Sequence, residues 1–152
     1  MTKYVVDSNV ALVASGRRTH VDVFSQLKAA RFLREVIISG IVLEDEEDLA
    51  LTEYKHYLNM SGQPSMGDEF IAWFVRERWA GKIVQRVPSP SGRSILSVLP
   101  TSLSSFDSDD HKWICIYLEG DADWIVNAVD SDWANDKSAL DAEGVQVLEL
   151  LA

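Results

Sequence analysis

Tyr4-Val5-Val6-Asp7-Ser8-Asn9-Val10 is an apolar run that ends on a carboxylate and passes directly into residues suited to cap a helix. Residues 3–6 show no polar alternation, as expected of a strand covered on both faces. Ser8 and Asn9 can cap a helix start, which predicts a short helix through Val13, broken near Gly16. Asp7 then stands at the carboxyl end of a strand, where parallel α/β sheets open their ligand crevice.

The same order recurs near the other end. Trp124-Ile125-Val126-Asn127-Ala128-Val129 is a second β-type run, and Asp130 closes it. Between the two, strand and helix signals alternate. A helix is predicted over 21–34, with Val23, Leu27, Ala30 and Leu33 or Arg34 at helical spacing. A strand is expected over 40–43. The acidic run Glu44-Asp45-Glu46-Glu47-Asp48 is then expected to open a helix to about Leu58, since negative charge favours a helix N-terminus. Further helices are predicted over 66–79, 108–119 and 133–140, and strands over 83–87, 95–99 and 145–150. Strands separated by helices imply a mainly parallel sheet covered on both sides, in a single domain.

The bulk numbers agree. A chain of 152 residues, 47% hydrophobic and 25% charged, has enough core for one domain. Met1-Thr2-Lys3 leads straight into a strand without a signal-peptide pattern, and no stretch approaches the roughly 18 apolar residues of a membrane span. The expectation is a cytoplasmic protein with no membrane partner. The single cysteine, Cys115, lies in an apolar run and is expected to be a core thiol. The net charge of −10 is uneven: residues 1–106 carry 12 basic and 12 acidic side chains, and residues 107–152 carry 2 and 12. Basic residues gather around Arg17, Arg18, Lys28, Arg31 and Arg34, and again from Arg76 to Arg93. On one face they would grip a phosphate backbone; scattered, they only solubilise.

Two more acids stand out. Glu53 shares a helical stripe with Leu49, Ala50, Tyr54, Tyr57 and Leu58, so its carboxylate is expected to face inward. Such a charge is costly unless a base such as Lys55 pairs with it or a cation binds. Glu44, at the end of the second strand, competes for the same role. Asp110 begins the stripe Trp113, Ile114, Tyr117 and Leu118, beside Asp107 and Asp109. Asp132 is either a helix cap or an outer ligand. Acids at two strand ends and on two helix faces form a candidate divalent-metal site, and such a site suits phosphodiester hydrolysis. Other chemistries fit less well. His20, His56 and His111 have no metal-ligand spacing, and Asp130-Ser131-Asp132 lacks the glycine of a calcium loop.

Taken together, Tyr4 to Val10, Glu53-Tyr54, Phe106 to Trp113 and Ala122 to Trp133 resemble, in this order, the motifs of the PIN-domain nucleases. The resemblance spans nearly the whole chain and is loosest over residues 60–105, which would be an insertion. It implies a three-layer α/β/α sandwich and an Mg²⁺- or Mn²⁺-dependent ribonuclease, in many cases the toxin of a bacterial toxin–antitoxin pair. Carried over by position, Asp7, Glu53, Asp110 and Asp130 would be the catalytic quartet. Asp7, Asp110, Asp130 and Asp132 would hold metal. Ser8 or Asn9 would orient a ligand or the nucleophilic water, and the basic first half of the chain, with Arg17 and Arg18, is expected to contact the substrate. RNA is the expected partner, and the resemblance admits an antitoxin protein and a homodimer. Two other classes stay open: an inactive PIN-like binding module, and another metal-dependent phosphohydrolase.

Overall fold

In the computed structural model, which describes residues 1–18 and 20–152, the first apolar run forms β1 (Lys3–Val6). Val5 and Val6 are fully buried, as a strand covered on both faces requires. The other four strands are β2 (Ile41–Asp45), β3 (Val84–Val87), β4 (Trp124–Asn127) and β5 (Val147–Glu149). All pair in parallel, in the order β3-β2-β1-β4-β5. Parallel pairs need crossovers, and helices supply them. α1 (Ser8–Ala14) and α2 (Val23–Ser39) join β1 to β2; α3 (Leu49–Tyr57) and α4 (Met66–Glu77) join β2 to β3. α5 (His111–Glu119) precedes β4, and α6 (Asp132–Asn135) with α7 (Lys137–Ala142) leads to β5. α1, α2 and α4 pack on one another, while α5 lies against β1, β2 and β4 on the other face, as right-handed crossovers require. The fold is a three-layer α/β/α sandwich.

Strand order positions the site. The chain moves outward from β1 through β2 to β3, then crosses back to add β4 on the far side of β1. Crossovers leaving β1 and β4 therefore run to opposite faces, and a crevice opens between the carboxyl ends of these two strands. Val6 is in register with Val126, so the chain segments beyond each emerge side by side. An aromatic cluster supports the floor: Tyr54 meets Phe70, Phe74 and Trp113 at centroid distances of 5.5, 5.1 and 5.6 Å. The Tyr54 hydroxyl donates to the Val6 carbonyl at 2.5 Å and ties α3 to the end of β1. Gly67 lets α4 approach α1, because a Cβ there would collide with the Ala11 carbonyl and the Ser15 hydroxyl.

Several elements differ from expectation. α2 runs five residues past Arg34 and buries Ala29, Phe32, Leu33 and Val36, while Val23 and Leu27 are exposed. Its register is set where Phe32 meets Tyr4 edge-to-face at 5.3 Å, not by the apolar residues of its first turn. β-Branched Val36, Ile37 and Ile38 remain helical because tertiary contact outweighs their modest propensity penalty. The acidic run does not open α3. Glu44 and Asp45 continue β2, and buried Asp45 caps α3 from upstream, accepting from the Leu49 and Ala50 N–H groups at 2.8 and 2.9 Å. Residues 95–98 form a 3-10 turn rather than a strand. Asp110 ends another 3-10 turn before α5 begins, and the helix expected over 133–140 is divided into α6 and α7. Residues 60–105 carry α4 and the edge strand β3. Among the described residues no helix is long and apolar enough to cross a membrane.

Candidate metal centre

Asp7 leaves β1 as the N-cap of α1, only 4% exposed. One carboxylate oxygen accepts from the Asn9 N–H and the other from the Trp133 indole N–H, both at 3.1 Å. Asp130 comes after β4 in a tight turn held by Asn127, whose side chain bonds the Asp130 N–H at 3.1 Å and its carbonyl at 2.8 Å. Asp110 precedes α5 at 8% exposure, and its carboxylate makes no capping bond. Carboxylate oxygens of Asp7, Asp110 and Asp130 all lie within 4.8 Å of one another. Among the described residues no ion pair involves any of the three.

Such proximity is costly, on the order of 4 kcal/mol for a charge pair at 4 Å and an effective dielectric of 20. Asp7 and Asp110 hold their protons above the ordinary carboxylate range. Burial pushes Asp7 up from 3.8 to about 7, helped by Glu53 and Asp130 and opposed by the Asn9 and Trp133 hydrogen bonds. Burial, then Asp7 and Asp130, push Asp110 up as well. A second group, Asp107, Asp110 and Asp132, also gathers within 4.8 Å and shares Asp110 with the first. Asp132 therefore joins Asp107 and Asp110 rather than Asp7; its carboxyl is raised mainly by Asp130.

Glu53 lines the same cleft, of about 390 Å³, but it stands outside both groups. Its stripe is rotated from expectation: Tyr54 is buried while Tyr57 is exposed, leaving Glu53 at the margin. The Ser8 hydroxyl donates to Glu53 Oε2 at 2.5 Å, and Lys112 Nζ lies 2.6 Å from Oε1. The base is thus Lys112 on α5, not exposed Lys55. The competing acid, Glu44, is fully buried away from the cleft and paired twice with Arg78, at 3.0 and 2.8 Å.

The expected substrate residues divide. Arg18 lines the cleft together with His20. Arg17 does not: its guanidinium is engaged by buried Asp68 at 2.7 Å and the Tyr57 carbonyl at 3.0 Å, so it is a structural partner rather than a free cation. Asn9 also lines the cleft, yet its amide is spent on the fold, donating to Asn127 Oδ1 and accepting from the Ala128 N–H, each at 2.9 Å. It staples the end of β1 to the end of β4. Ser8 is turned to Glu53. Nothing in the sequence marks Lys112, Trp133 or Asn127 as a partner of these acidic residues, or His20 as part of the cleft lining. Lys112 falls off the apolar stripe of its helix, and the polar edge of a buried tryptophan leaves no periodic signal. No protein-family model, no curated protein and no solved structure matches this chain.

Proposed function

We propose that the protein is a divalent-metal-dependent nuclease that hydrolyses RNA phosphodiester bonds, like the PIN-domain ribonucleases its motifs resemble. The supporting observation is the convergence of Asp7, Asp110 and Asp130, without an ion-pair partner among the described residues, at the switch point of the sheet. An all-oxygen, multiply charged donor set suits a hard cation such as Mg²⁺ or Mn²⁺. The raised Asp7 and Asp110 carboxyls fit as well, since a bound cation would offset the burial and the repulsion that favour their protonation.

A cation held by these residues would supply Lewis-acid stabilisation of charge on a phosphate. The chain's own residues do the positioning. The Asn9 N–H and the Trp133 indole hold Asp7, and the Asp132 N–H holds Asp130 at 2.9 Å. Arg18, across the cleft, offers a cation to the phosphate backbone. RNA as substrate, a toxin role, an antitoxin or homodimer partner and a cytoplasmic location rest on the resemblance.

Labelled RNA incubated with Mn²⁺ should be cleaved, and EDTA, Asp7→Asn or Asp110→Asn should abolish cleavage. Full activity in EDTA, or unchanged rates in both variants, overturns the proposal. Turnover of small phosphoesters but not RNA selects the phosphohydrolase class. One observation favours a binding module instead: Lys112 already neutralises the fourth acid, Glu53. RNA binding without cleavage in Mn²⁺ would select that class.

A further inference from the structure

Six carboxylates line the cleft, those of Asp7, Glu53, Asp107, Asp109, Asp110 and Asp130, and among the described residues only Glu53 has an ion-pair partner. Glu53 has both oxygens engaged, one by Ser8 and one by Lys112. The ion pair is sheltered, with the Lys112 and Glu53 side chains 12% and 20% exposed. Lys112 is itself anchored three ways: to Glu53, to the Asp109 carbonyl, and over the ring of fully buried Trp113 at 5.0 Å from its centroid. An ammonium held so firmly, two residues from Asp110, is a fixed charge of the site rather than a mobile surface lysine.

We infer that Lys112 is a built-in counter-cation that neutralises Glu53 and withholds it from the metal-binding carboxylates. The inference rests on the metal-centre reading of Asp7, Asp110 and Asp130 and names a positioning residue for it. A divalent cation held by Asp7, Asp110 and Asp130 would have the Glu53 carboxylate beside it already compensated. Recruiting Glu53 would require breaking its bonds to Ser8 and Lys112 together. The Glu53–Lys112 pair adds little to the net field on the cation, because it is a neutral unit. Removing the lysine leaves one more uncompensated negative charge; removing the glutamate leaves a bare positive charge. These two changes should move metal affinity in opposite directions, and removing both should restore it.

Mn²⁺ binding measured calorimetrically on the full chain tests this, with circular dichroism to establish that each variant is folded. Lys112→Met should bind Mn²⁺ about tenfold more tightly than wild type, Glu53→Gln about tenfold more weakly, and the double variant within about threefold of wild type, from Coulomb interaction at partly screened distance. Lys112→Arg, which keeps the charge, should behave as wild type. Lys112→Met binding that is unchanged or weaker overturns the inference while leaving the metal centre standing. Absence of Mn²⁺ binding in wild type and in all variants overturns both. A lysine that only braced the fold would never raise affinity on removal.

Discussion

Two sets of buried carboxylates in this molecule are treated in opposite ways. Around the end of β2 and the start of α4, Glu44, Asp45 and Asp68 are all 0% exposed, and each is satisfied. Glu44 has Arg78, Asp45 has two backbone N–H groups, and Asp68 has Arg17, Ser65 and the Asn59 N–H. At the switch point between β1 and β4, Asp7 and Asp110 are almost as buried, at 4% and 8%, yet they face each other and Asp130 without a base among the described residues. Burial of a carboxylate is therefore no mark of a site, because the fold can supply every partner. The informative feature is burial left uncompensated, which the chain sustains at a cost to its own stability.

The sharpest way to break this contrast is pH. Asp7 holds its proton up to about pH 7 in the folded chain but only to about 3.8 unfolded, so between these values the native state binds the extra proton. That stabilisation is complete below pH 3.8 and disappears as pH rises through 7, a loss of roughly 4 kcal/mol by linkage. Asp68 has the opposite sign. Burial pushes it up, but Arg17, the Asn59 N–H and Ser65 together hold it below its ordinary value, so its contribution is present above pH 3.8 and lost on further acidification. Urea denaturation in EDTA should show stability falling from pH 4 to 7, with the slope flattened in Asp7→Asn. Stability that instead climbs across that interval would remove the distinction.

Mutation of the compensated set should be damaging. Glu44→Ala leaves Arg78, only 10% exposed, with the half-exposed Asp48 as its remaining partner, and should cost about 3 kcal/mol in denaturant unfolding. A change below about 0.5 kcal/mol would show that the buried pair is dispensable.

Metal sharpens the contrast from the other side. Mn²⁺ at a hundredfold excess over Kd should stabilise the native state by about 2.7 kcal/mol, several degrees in Tm for a domain of this size. Asp110→Asn should raise the metal-free Tm, since a repelling charge is gone, and shrink the Mn²⁺ shift. An Asp110→Asn protein that melts lower in EDTA and retains the whole shift would place Asp110 among ordinary caps.

The smallest effects separate the two neighbouring arginines. Arg17→Ala should lower stability by about 1–2 kcal/mol through the loss of its charged bond to Asp68. Arg18→Ala should leave unfolding unchanged and reduce the salt dependence of RNA binding by about one unit of slope. Equal behaviour of the two variants in both assays would contradict the division seen in the cleft.

Much of the fold and part of the site were legible along the chain. Asp7 and Asp130 could be located because an apolar β-type run ending on an acid is a local pattern, and a parallel sheet has its crevice at those ends. Asp110 could be placed from the stripe of α5. The register of α2 was not legible, because apolar residues lie on more than one of its faces and only contact with Tyr4 selects among them. Glu44 and Glu53 could not be separated in sequence, since both are acids adjoining apolar positions.

By itself the sequence determined the alternation of strands and helices, and hence a parallel sheet with acids at two strand ends, because side-chain periodicity and capping act over a few residues. Only the tertiary structure decided which buried acids find a base. Arg78 reaches Glu44 across 34 residues and Arg17 reaches Asp68 across 51, while Lys112 comes from another helix altogether to occupy Glu53. Such pairings depend on which crossovers come to lie side by side, a consequence of strand order rather than of any neighbouring residue. The three aspartates left without a base are defined by the same packing.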